Sequence, residues 1–127
     1  MAEQLITTGT MNASALRYNM LQFSAPNVNA LYAHYINKFQ NGGIFVPTSR
    51  ALELGAEVIV ALTLPERPER FAIGGRVAWV TPAHAQHGRR QGIGVAFEAD
   101  DKSKAVRAII ETTLGDMLTS GRGTQTF

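Results

Sequence analysis

Between residues 57 and 97 apolar side chains fall at every second position, and this constrains the fold more than any other feature. In Glu57–Leu64, Val58, Val60, Leu62 and Leu64 share one face, while Ile59, Ala61 and Thr63 take the other. Phe71–Thr81 repeats the pattern, with Phe71, Ile73, Gly75, Val77 and Trp79 pointing one way and Arg76 the opposite way. Gly92–Phe97 continues it through Ile93, Val95 and Phe97. A period of two is that of a pleated strand with one face buried. The charged run Pro-Glu-Arg-Pro-Glu-Arg at 65–70 and the polar loop Pro82–Gln91 separate the three segments as turns.

The flanks change period. Val106, Ile109, Ile110, Thr113, Leu114, Met117 and Leu118 recur at spacings of three and four, a full amphipathic helical stripe. Asp100, Asp101 and Ser103 supply capping candidates and negative charge at its start. Upstream, Val28, Leu31, Tyr32, Tyr35, Ile36 and Phe39 form a shorter stripe over Val28–Phe39, with Asn27 or Asn29 as cap. Leu16–Phe23 reads as a first strand, ended by Pro26-Asn27. Asn41-Gly42-Gly43 turns the chain into a strand at Ile44–Val46, which Pro47 ends. Residues 1–15 and 119–127 carry no periodicity, so a flexible N-terminus, one domain over 16–118 and a flexible tail are expected. Together these elements predict a mainly β fold: a small antiparallel barrel with a short N-terminal helical segment and a closing C-terminal helix.

Composition excludes several functions. A chain of 127 residues without cysteine has no disulfide framework, thiol nucleophile or zinc-finger spacing. Twelve basic against ten acidic residues give a formal charge of +2, too weak a field to indicate a polyanion partner. Apolar runs are far shorter than the roughly 18 residues that span a bilayer, and no signal peptide is evident. A cytoplasmic monomer with no direct membrane insertion is expected. His84 and His87 are spaced like a metal pair but have no third ligand nearby. There is no Gly-x-Ser-x-Gly elbow and no Walker-type loop, and Gly92-Ile93-Gly94 lacks the third glycine of a dinucleotide fingerprint. Nothing supports catalysis, a metal or a cofactor.

The order of motifs is more specific than any one of them. Asn-Gly-Gly-Ile-Phe-Val-Pro at 41–47 is followed by the Glu57–Leu64 strand. Then come Gly-x-Val-x-Trp-Val-Thr-Pro at 75–82, Gly-Ile-Gly-Val-x-Phe at 92–97 and the closing helix. In this order the chain resembles the PilZ domain from about residue 16 to 118. PilZ domains usually bind cyclic di-GMP through an Arg-x-x-x-Arg pair and an Asp/Asn-x-Ser-x-x-Gly turn. With Gly43 as the final glycine, Lys38 and Gln40 stand at the Asp/Asn and Ser places, within a degenerate turn that includes Asn41, Gly42 and Gly43. No two of the nine arginines are four apart. Loss of arginine removes the planar fork that grips phosphate and guanine bidentately. The resemblance is to the single-domain PilZ proteins of type IV pilus biogenesis, which act through protein contacts. It implies a pilus assembly ATPase and an EAL-domain regulatory protein as partners.

Within that expectation Tyr32, Tyr35, Trp79, Leu118 and Phe127 are the candidate partner-binding residues. Tyr32, Tyr35 and Phe39 lie on one side of the short helix, and one of the three is expected to remain exposed; Tyr32 is favoured by the resemblance. Trp79 continues the inward row of its strand, yet suits an interface as well as a core. The tail is expected to order on a partner through Leu118 and Phe127. Two rival functions remain open. One is a cyclic di-GMP effector with a non-standard site built from Arg17, Lys38 and Arg76 or Arg89. The other is a nucleic-acid-binding barrel, which ranks last because its strands lack basic residues interleaved with aromatic ones.

Overall fold

A computed structural model describes residues 19–127. The expected N-terminal segment 1–15, the start of the first strand and Arg17 lie outside these residues. Five strands, β1 (Asn19–Ser24), β2 (Gly43–Pro47), β3 (Glu57–Thr63), β4 (Arg70–Thr81) and β5 (Gly92–Phe97), form one sheet in the order β1-β3-β4-β5-β2. Helix α1 (Val28–His34) links β1 to β2, and α2 (Asp101–Leu114) follows β5. The edge strands β1 and β2 approach each other, so the sheet curls into a half-barrel. The fold is mainly β with a closing C-terminal helix, as expected. One pairing departs from the antiparallel expectation: β1 and β3 run parallel, from Asn19 opposite Val58 to Ser24 opposite Thr63. The chain between them carries α1 and β2, a crossover long enough to return it in the same direction.

The alternating rows become the core. Val58, Val60, Leu62, Ile73, Val77, Ile93, Val95 and Phe97 are buried together with Leu21 and Phe23 of β1. Helix α2 closes them with Val106, Ile110 and Leu114, while Ile109 packs at the edge of the stripe. Its cap is Asp100, whose carboxylate accepts from the Ser103 N–H at 2.8 Å. Asn27 does the same for α1 by accepting from the Ala30 N–H.

Two local readings change. Helix α1 ends at His34 rather than Phe39, because Tyr35 turns extended (φ −74°, ψ 137°) and bridges to Ile44. The Ile36 N–H then donates to the Gly43 carbonyl at 2.9 Å. The open edge of β2 therefore takes the Ile36 N–H that a longer helix would have used. The second change is in β4. Val77 lies opposite Val95, but Trp79 lies opposite Gly94, so one extra residue is inserted on β4. Such a bulge reverses the alternation beyond it. Trp79 leaves the row of Ile73 and Val77 and stands on the opposite face of the sheet.

Gly94 makes that placement possible. A Cβ there would lie 2.8 Å from Trp79 Cβ and 2.9 Å from Ile36 Cδ1; at Gly92 one would lie 2.6 Å from Phe45 Cζ. The two glycines, expected to serve strand coiling, make room for aromatic rings on the face away from the main core.

Candidate interaction surface

The loop from Ile36 to Gly43 is held from within. The Gly42 N–H donates to the Phe39 carbonyl at 3.0 Å, and the Gly42 carbonyl accepts from the Phe97 N–H at 3.0 Å. Gly42 sits at φ +77°, and a Cβ there would meet Tyr35 Oη at 2.9 Å and Arg107 Cδ at 3.3 Å. Glycine is required both by its left-handed backbone and by the lack of space. From α2, Arg107 Nη1 donates to the Gln40 carbonyl at 2.9 Å, and its Nε donates to Glu111 Oε2 at 3.1 Å. Tyr35 Oη donates to the same carboxylate oxygen at 2.5 Å.

The ionisation states support this clamp. Burial, then the hydrogen bond to Glu111, pushes the Tyr35 hydroxyl well above its ordinary value, so it remains a donor. For Glu111 burial acts upward, but hydrogen bonds from Tyr35 and Arg107 outweigh it and hold the carboxyl below its usual range. The hydrogen bond to Glu111 raises Arg107. The network ties the α1–β2 turn to the closing helix.

Beside the turn lies an aromatic patch that includes the tail. The Phe127 ring is 5.0 Å from Trp79 and 6.4 Å from Phe39, centroid to centroid, and edge-on to Phe39. Trp79 Nε1 donates to Thr81 Oγ1 at 2.7 Å. The tail is docked through its backbone. The Gln125 N–H donates to the Ala33 carbonyl at 2.8 Å, a last-turn carbonyl of α1 with no partner within the helix. Arg89 Nη1 donates to the carbonyls of Gln125 and Thr126, each at 2.8 Å. Tyr32 Oη donates to the Arg122 carbonyl at 2.5 Å, and the Arg122 guanidinium stands 5.4 Å from the Tyr32 ring centroid. Between α1, the turn and the tail is a pocket of about 250 Å³.

A model of the PilZ domain matches residues 18–114. The chain belongs to the PilZ domain family. No curated protein matches it. PilZ domains are binding and adaptor domains rather than enzymes, so the surface of this one is the place to look for function. No helix among the described residues is long and apolar enough to cross a membrane.

In this PilZ domain the candidate residues are brought together in part. Trp79 and Phe127 touch, and Tyr32, Tyr35, Leu118 and Phe127 all line the pocket. Tyr32 and Tyr35 are 8% and 3% exposed, so neither is the freely exposed member of its stripe; Phe39 is half-buried. Phe127 is 51% exposed. Lys38 and Gln40 of the turn face solvent, Asn41 is half-buried, and Gly42 and Gly43 are buried. Residues 119–127, expected to be a flexible tail, lie on the body of the domain with Thr126 buried.

Sequence reasoning missed Arg107, Glu111 and His34, and it named Arg89 only for a cyclic di-GMP site, whereas here it holds the tail. Arg107 and Glu111 are an i, i+4 pair and legible as such. Their link to Tyr35, 76 residues away, left no local signal. His34 is buried with its ring 4.8 Å from that of Phe23. Its Nδ1 hydrogen-bonds the Ala30 carbonyl at 2.7 Å, and its Nε2 has no partner among the described residues. Burial, with a smaller contribution from Arg90, holds its pKa below the ordinary value, against an upward pull from the Ala30 carbonyl.

Proposed function

We propose that this PilZ domain is a non-enzymatic adaptor in type IV pilus assembly and twitching motility. It acts in the cytoplasm as a monomer, through protein contacts and without the family's usual binding of cyclic di-GMP. One observation carries the reading. The Trp79–Phe127–Phe39 patch adjoins a turn with Lys38 and Gln40 at the ligand-reading places, and the Gln40 carbonyl is engaged by Arg107. Aromatic residues at the edge of a groove are the usual anchors of protein interfaces. The pilus assembly ATPase and an EAL-domain regulatory protein are the partners implied by the resemblance.

A cyclic di-GMP effector using Arg17, Lys38 and Arg76 or Arg89 has less support. Arg76 is engaged with Glu57 at 2.9 Å and with the Gly55 carbonyl, and Arg89 with the tail carbonyls. Calorimetry with cyclic di-GMP separates the two readings. No saturable heat is expected near 1 μM, whereas a dissociation constant at or below about 1 μM, ~8 kcal/mol, would refute the adaptor reading. In parallel, Phe127→Ala is expected to weaken capture of the ATPase about tenfold, ~1.4 kcal/mol, with unchanged melting. Equal capture by the variant removes the patch from the contact.

A further inference from the structure

We propose that the pocket between α1, the Ile36–Gly43 turn and the tail receives one apolar side chain from a partner segment that carries carboxylates beside it. This rests on the adaptor reading and adds the chemistry of the bound segment. The floor is formed by the rings of Tyr32 and Tyr35 with Ile36 and Leu118, and Asn37, Lys38, Arg122 and Thr124 form a polar wall around it. Both tyrosine hydroxyls are already committed, one to the Arg122 carbonyl and the other to Glu111. A polar side chain reaching this floor would find both hydroxyls taken, so an apolar one is favoured there, while the polar wall is left to the residues that flank it. A volume of about 250 Å³ admits a ring or a branched aliphatic group, since a cavity of roughly 150 Å³ holds benzene.

The lining charges have one sign. Lys38 and Arg122 are exposed on the wall, and no acidic residue lines the pocket. Neither cation has an ion-pair partner among the described residues, where Arg76–Glu57 and Arg107–Glu111 are the pairs formed. The Arg122 guanidinium is steered over the Tyr32 ring and stays available at its outer side. Two cations flanking an apolar recess select an anionic segment and fix its register, while a basic segment is repelled. An anionic lipid surface shares this chemistry, but a recess with room for one side chain fits a peptide better than a bilayer.

The test pans a random 12-residue peptide library against the full chain, then titrates the enriched peptides by NMR. Expected are sequences with an aromatic or leucine next to Asp or Glu, shifting the resonances of Tyr32, Tyr35 and Ile36. Lys38→Glu with Arg122→Glu should weaken them at least tenfold without lowering the melting temperature, and Lys38→Glu alone should weaken them by less. Panning against the double variant should enrich basic flanks instead. Peptides without charge preference, peptides that map elsewhere, or no enrichment at all overturn the proposal. So does charge-dependent binding to phosphatidylglycerol vesicles in the absence of peptide binding. ATPase capture that tolerates the charge reversal but is lost in Phe127→Ala leaves the adaptor reading standing and this pocket chemistry refuted. Peptide binding as expected with no ATPase capture does the reverse.

Discussion

Gly94 is the position where a single methyl group tests the whole outer face. Alanine there would place its Cβ 2.8 Å from Trp79 Cβ and 2.9 Å from Ile36 Cδ1. Ile36 Cδ1 is the end of a side chain and can rotate away. Trp79 Cβ is fixed to the backbone of the strand directly opposite and can move only if the bulge moves. Overpacking of this kind costs about 1–3 kcal/mol. The better strand fit of alanine over glycine returns about 0.5–1 kcal/mol. A net loss of roughly 1–2 kcal/mol corresponds to a melting temperature lowered by about 4–10 °C in a domain of this size. Gly74→Ala is the internal control, because a Cβ there meets only Glu98 Cγ at 3.6 Å. Trp79 is the single tryptophan, so its fluorescence reports the displacement directly. Gly94→Ala should change the emission and its accessibility to a quencher, whereas Gly74→Ala should leave both unchanged. Equal melting of the two variants with identical spectra would refute the packing argument and the bulge assignment on which it rests.

Ile110→Ala, at a fully buried position of α2, should cost about 2–5 kcal/mol in urea unfolding. Ala108→Ser on the exposed side should stay within about 0.5 kcal/mol, and equal effects would show that the stripe is not packed. Tyr35→Phe removes the hydroxyl from Glu111 and should cost about 1.5 kcal/mol, the lower end for a bond to a charged group because this one is partly exposed; faster amide exchange at Gly42 and Gly43 should accompany it. His34 gives a pH dependence of defined sign. Its folded pKa lies below the ordinary 6.5, so the unfolded chain binds the proton more readily. The stability it contributes is complete above pH 6.5 and is lost as pH falls from there towards the lowered folded value. His34→Phe should flatten this part of the stability–pH curve, and an unchanged slope would assign the loss to other groups.

The β2–β5 half of the domain shows where local reading stops. Ile44 and Val46 face the core and Phe45 faces away, yet all three are buried. An alternating pattern predicts only one covered face. The second face is covered by the loop after α1 and by the tail, neither of which has a periodicity that announces the contact. The end of α1 departs from its spacing for a related reason. Tyr35, Ile36 and Phe39 keep helical spacing, but the Ile36 N–H gains a hydrogen bond to the Gly43 carbonyl at the edge of β2 that a helix could not offer it. Trp79 shows the same limit within a strand, since an inserted residue is invisible until the partner strand is placed.

The sequence by itself determined the class of fold, the strands from 57 to 97 and the family, and it narrowed the caps to Asn27 or Asn29 and to Asp100, Asp101 or Ser103. These depend on interactions within a few residues or on the burial of one face, and both leave a period in the chain. Tertiary structure alone decided the parallel pairing of β1 with β3, the reversed face of Trp79, the clamp of Arg107, Glu111 and Tyr35 on the turn, and the docking of the tail. Each of these joins groups distant in sequence whose gain in contacts and hydrogen bonds appears only when the sheet has closed, and no local pattern can encode an energy that does not yet exist in the extended chain.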